Sequence, residues 1–124
     1  MARDGKPVLV VDNDPDMRAL VEEILGATGY RVLTAGEGQE ALAQVRQDPP
    51  GLILLDLQLP NMDGQTFTQT LRAQLAPAPP IVLFTALQDA SAQAHQLGAA
   101  GYVSKPFDLD DLLSTVAWYV EPAA

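Results

Sequence analysis

Short apolar runs alternate along this chain with longer stretches in which apolar residues recur three and four positions apart. The runs read as strands and the stretches as amphipathic helices. Strands are expected at residues 7–12, 31–35, 51–56, 80–85 and 100–104, each nearly continuous in apolar residues, as in strands covered on both faces. The first helix opens with Asp14 as N-cap, Pro15 in the first turn and Asp16 at the positive end of the dipole. It places Met17, Leu20, Val21, Ile24 and Leu25 on one face, and Gly29 stops it. The second helix, 38–47, is anchored by Ala41, Leu42 and Val45, and the third, 65–74, by Phe67 and Leu71. The fourth, 87–97, is mostly Gln and Ala and should be the least firmly packed. The last, 108–120, carries Leu109, Leu112, Leu113, Val116 and Val120 on one face and Trp118 opposite. Strand and helix in strict alternation build a parallel sheet from βαβ units.

The third strand ends on a carboxylate, Asp56, and Pro60 bars helix directly after it. Asp63-Gly64 reads as a turn dipeptide before the third helix. Other strand ends carry Asp12-Asn13 and Thr85, and Lys105 follows the fifth strand ahead of Pro106. Parallel strands deliver all of these to the carboxyl edge of the sheet, where open α/β sheets place their sites. Two carboxylates and an amide oxygen are hard donors suited to Mg²⁺ or Mn²⁺. A carboxylate beside a metal and a lysine can accept a phosphoryl group as an acyl phosphate. Asp56 is the candidate nucleophile, Lys105 the phosphoryl cation and Thr85 a hydroxyl donor.

Composition narrows the classes. With 124 residues the chain makes one domain. It has no cysteine and one histidine, His95, which removes thiol catalysis and thiolate or histidine-rich metal sites. Sixteen acids against seven Lys and Arg give a net charge of −9, which disfavours binding to a phosphate backbone. No apolar run reaches membrane-spanning length and no signal peptide is evident, so a cytoplasmic location with no membrane contact is expected. Lys6 and Lys105 are the only lysines.

Four pieces in order, VLVVDND, LLDLQLPNMDG, VLFTA and GAAGYVSKPF, resemble the phosphoacceptor receiver domain of two-component response regulators over essentially the whole chain. The resemblance implies a flavodoxin-like α/β fold, a doubly wound five-stranded parallel sheet of order 2-1-3-4-5 with five flanking helices. It implies phosphoryl transfer from a sensor histidine kinase or phosphotransfer protein to Asp56, in a receiver that supports its own phosphorylation and dephosphorylation rather than acting as an ordinary enzyme. Mg²⁺ would be held by Asp12, Asn13, Asp56 and the backbone carbonyl of Gln58. Lys105 would pair with the phosphoryl group through a cis Lys105-Pro106 peptide, Thr85 would be the switch hydroxyl and Tyr102 the switch aromatic. Gln58 and Leu87 occupy positions that tune hydrolysis of the acyl phosphate. Output would pass to a downstream protein target, with the fourth helix, fifth strand and fifth helix as the contact face and as the face for a homodimer. Residues 1–124 then form a single receiver with no output domain.

One position departs from the family: most members carry a second acid where this chain has Asn13. An uncharged amide should lower cation affinity. Rival readings are weaker. An EF-hand loop from Asp12 fails because Pro15 and Met17 break it. A haloacid-dehalogenase-like phosphatase could use Asp12 and Asp14 with Thr85, Lys105 and Asp110-Asp111, but would leave Asp56 idle and needs room for a cap. A phosphate-independent binding module is favoured by Asn13 alone. His95 reads as a solvated residue, and Asp110 and Asp111 as acids favouring a helix dipole.

Overall fold

The computed structural model describes residues 5–86 and 88–121. Five strands, β1 (Val8–Val11), β2 (Val32–Ala35), β3 (Leu52–Leu55), β4 (Ile81–Thr85) and β5 (Gly101–Ser104), alternate with five helices. The helices are α1 (Pro15–Ala27), α2 (Gly38–Gln47), α3 (Gly64–Gln74), α4 (Ala90–Leu97) and α5 (Leu109–Tyr119). All strand pairings are parallel and the order is β2-β1-β3-β4-β5, as expected from the sequence.

Two cores follow from strand alternation, because successive side chains leave opposite faces of the sheet. Val8, Val10, Leu52, Leu54, Val82 and Phe84 face α1 and α5, packing with Val21, Leu25, Leu112 and Val116. Leu9, Val11, Ile53, Leu55 and Leu83 face the other way, against Ala41, Leu42, Val45, Phe67, Leu71 and Ala94. β1 and β3 are buried along their whole length, which explains apolar runs without polar alternation.

Several expectations are corrected in detail. Leu20 is exposed: about 100° of turn per residue puts it roughly 120° from the midline of Val21 and Leu25, off the buried stripe. Leu109 is exposed as the first residue of α5, whose buried contacts begin at Leu112. The fourth helix begins at Ala90 rather than 87: Gln88 and Asp89 form a turn, and Leu87 lies outside the described residues. Asp63-Gly64 is not a turn dipeptide but the start of α3. The Asp63 side chain accepts a hydrogen bond from the Thr66 N–H at 2.7 Å, and Gly64 is the first helical residue. A Cβ at Gly64 would meet Leu57 Cδ2, so close packing explains the glycine. The left-handed residue of this loop is Asn61, at φ 67°.

Candidate functional site

Backbone pairing brings the acids together. The Asp12 N–H donates to the Ala35 carbonyl at 3.0 Å and the Asp56 N–H to the Val11 carbonyl at 2.9 Å, continuing the ladders one residue past β1 and β3. The Lys105 N–H likewise donates to the Thr85 carbonyl at 2.9 Å. Adjacent strand ends therefore present Asp12, Asp56, Thr85 and Lys105 at one edge of the sheet. Asp12, Asp56 and Thr85 are buried, the last two only 3 % and 0 % exposed.

The Lys105 ammonium bridges the carboxylates, with Nζ 2.5 Å from Asp12 Oδ2 and 3.2 Å from Asp56 Oδ2. Buried carboxylates are tolerable only when paired and hydrogen-bonded. Their other oxygens are also engaged: Asp12 Oδ1 accepts from the Asp14 N–H at 2.9 Å and Asp56 Oδ1 from the Gln58 N–H at 3.0 Å. Among the described residues no buried side-chain nitrogen or oxygen lacks a partner. Lys105 Nζ also lies 4.9 Å from the centroid of Phe84, whose ring packs at 5.5 Å on Phe107. The Lys105-Pro106 peptide is cis, as expected from the resemblance.

Asn13 is exposed beside Asp12, and the Asp14 side chain takes up the N-cap of α1, accepting from the Asp16 N–H at 3.0 Å. Asp14 is thus a cap and not a replacement for the missing acid. Among the described residues no three histidine, cysteine or acidic side chains gather as a metal cage. Two carboxylates, an exposed amide and the backbone of Gln58 still suit a hard divalent cation that retains most of its waters. The edge where Lys105 already balances two buried acids is one that favours positive charge.

Tyr102 does not enter this cluster. It stands 47 % exposed on β5 and lines a groove with Trp118, which is 82 % exposed as its position opposite the apolar face of α5 requires. Asp110 and Asp111 are exposed in the first turn of α5 and do not themselves end a strand, so the phosphatase reading loses its acidic pair.

Three contributors escaped the sequence reading. The Arg18 guanidinium donates to the Asp12 carbonyl at 2.7 Å, pinning the loop that carries Asp12 and Asn13. It packs where a Cβ on Gly36 would stand, and Met62 packs on Gly38 in the same way, so the residues leading into α2 seat two loops of the site. Phe84 forms the apolar wall beside the ammonium. A lone arginine six positions after Asp12 was the available signal for the first. Further along the loop after β3, hydrogen bonds from the Thr66 backbone, and then from its side chain, hold the Asp63 carboxyl below its usual value.

A sequence model of the response regulator receiver domain matches residues 8–117. The chain belongs to that family. It is 37 % identical over 107 residues to the probable transcriptional regulator ycf27 of Porphyridium aerugineum, covering 85 % of this chain and 44 % of that protein. It is 36 % identical over 114 residues to the probable transcriptional regulatory protein TcrX of Mycobacterium tuberculosis, covering 89 % and 48 %. This receiver chain thus spans a little under half the length of these curated relatives. Among solved structures, chemotaxis protein CheY4 of Vibrio cholerae superposes with a TM-score of 0.83 at 31 % identity, covering 93 % of this chain and 98 % of that one. The receiver fold and the two-component class are established by these matches. No helix among the described residues is long and apolar enough to cross a membrane.

Proposed function

We propose that Asp56 is the phosphoacceptor of this receiver, taking a phosphoryl group from the phosphohistidine of a sensor histidine kinase or phosphotransfer protein. The observation carrying this reading is the buried Asp12–Lys105–Asp56 cluster at the carboxyl edge of the sheet. An Asp56 carboxylate oxygen attacks phosphorus, an O–P bond forms, the N–P bond breaks, and the imidazole leaves with the bond pair. Lys105 meets the incoming phosphoryl oxygens with a charge that the fold already holds within reach. Thr85, at the end of β4, supplies a hydroxyl for the same oxygens, and Tyr102 is the aromatic that responds to its movement. Hydrolysis by water returns the Asp56 carboxylate and releases phosphate.

Asp12, Asn13, Asp56 and the Gln58 carbonyl would hold Mg²⁺. When bound, that ion neutralises charge developing on the transferred group. Arg18 serves this arrangement by fixing the backbone of Asp12. The role of Gln58 and Leu87 in setting the hydrolysis rate belongs to the same proposal. Signalling then follows as a population shift, phosphoryl contacts to Thr85 and Lys105 favouring an arrangement already sampled, which a downstream protein reads.

The direct test is incubation with acetyl phosphate and Mg²⁺, reductive trapping of the acyl phosphate and mass spectrometry. Label on Asp56 is expected. Label on Asp12, or none while Asp56 is intact, would refute the assignment.

A further inference from the structure

We propose that Arg18 is a positioning residue for the cation site, aiming Asn13 through the peptide that joins it to Asp12, and that Gly36 is the gap which lets it do so. This assignment rests on reading Asp12, Asn13, Asp56 and the Gln58 carbonyl as the Mg²⁺ pocket. Side chains of an α-helix lean back toward its N-terminus, so an arginine in the first turn of α1 points at the loop before the helix. The Arg18 backbone N–H donates to the Asp14 carbonyl at 3.0 Å, which roots it in that turn, and its Nη1 reaches the Asp12 carbonyl at 2.7 Å. A peptide group is planar, so holding the Asp12 carbonyl oxygen also holds the Asn13 nitrogen and the direction in which the chain leaves toward its Cα.

Asp12 and Asn13 differ in what else fixes them. Asp12 is buried, and its carboxylate is held by the Asp14 N–H and by Lys105. Asn13 is exposed, so its direction comes from the backbone before it. An uncharged ligand draws a dication weakly from a distance, and its contribution depends on being in place. A Cβ at Gly36 would stand 2.9 Å from Arg18 Nη1, the nitrogen that donates to Asp12, and 3.4 Å from Cζ. The Gly36 N–H is itself held by Glu40 Oε1 at 2.9 Å, so the loop is fixed and the guanidinium is the group that would yield. The loop between β2 and α2 thus has room for the arginine only while residue 36 carries no side chain. Charge and position give opposite signs. A guanidinium beside the pocket repels a dication, so if Arg18 acted by its charge alone, removing it would tighten Mg²⁺ binding. As a positioning group, its loss weakens binding.

The test is a Mg²⁺ titration of the unphosphorylated protein, followed by the amide NMR shifts of residues 12–14 and 56–58. Arg18→Met, which keeps an apolar stem, should weaken binding about tenfold, the low end for groups that orient the ligands of a metal. Gly36→Ala keeps the charge but displaces the donating nitrogen, and should weaken binding about threefold in the same direction. In an Asn13→Ala background, Arg18→Met should change the affinity less than about twofold, because the ligand that it aims is gone. Unchanged or tighter binding in Arg18→Met, native affinity in Gly36→Ala, or an equal loss with and without Asn13 would each overturn the proposal. The last of these would make Arg18 a support of the whole loop. No phosphoryl donor enters the titration, so a failed Asp56 assignment and a failed Arg18 assignment show in different measurements.

Discussion

The centre of the sheet and its β5 edge are built to different specifications. β1 and β3 are fully buried, sandwiched between two apolar layers, and they end in carboxylates held from several directions. β5 is covered less: Tyr102 and Ser104 are exposed, and neighbouring α4 buries only Ala90 and Ala94. Two alanines anchor that helix where α1 offers Val21 and Leu25 and α2 offers Leu42 and Val45. Small side chains remove little apolar area from water, so shifting α4 costs less than shifting either of those helices. Under the proposed function, phosphoryl transfer needs groups held in place and a switch needs a part that moves. The fold would separate them by strand position, with Lys105 following β5 and reaching back to the carboxylates that follow β1 and β3.

The sharpest way to break this comparison is to remove the proposed acceptor. Asp56→Asn should reduce acyl phosphate formation from acetyl phosphate to background while leaving the circular dichroism spectrum unchanged. Next in size is packing. Leu54→Ala, in the covered centre, should cost about 3 kcal/mol in urea unfolding, whereas Tyr102→Ala at the edge should cost less than about 1 kcal/mol. Similar losses at both positions would erase the distinction. Asn13→Asp should tighten Mg²⁺ binding several-fold in a direct titration, because it adds a charge to a two-carboxylate pocket; equal or weaker binding by the variant would contradict it.

The smallest effect lies at the α3 cap. Asp63 is held below its usual carboxyl value by hydrogen bonds from Thr66, so its contribution is present above the unfolded value and lost as pH falls through the lowered folded one. The stability difference between the native chain and Asp63→Ala should therefore shrink on acidification through that window. A gap that stays constant would remove the carboxylate from the account.

Much of the architecture was legible because it rests on short-range rules. Strands covered on both faces declare themselves as apolar runs, and caps such as Asp14 are written in neighbouring residues. The assembly of Asp12, Asp56, Thr85 and Lys105 was legible because parallel strands deliver their ends to one edge. What escaped depends on how the loops fold back on neighbouring elements. An arginine six positions after Asp12 does not by itself say that it will reach the Asp12 carbonyl over Gly36, and the spacing of Leu57 and Gly64 does not say that the two will pack together. The start of α4 was misplaced because its sequence has few apolar anchors to set a boundary. Leu20 and Leu109 show the limit of periodicity, which gives a face but not how far that face is covered.

The division between a fixed centre and a responsive edge is tested most directly by hydrogen exchange, followed by mass spectrometry, on the native chain and on Asp56→Asn, each with and without acetyl phosphate and Mg²⁺. Altered protection confined to α4 and β5, with β1 and β3 unchanged and no response in Asp56→Asn, is the expected result. A change spread evenly over the sheet, or one that persists without the Asp56 carboxylate, would contradict it.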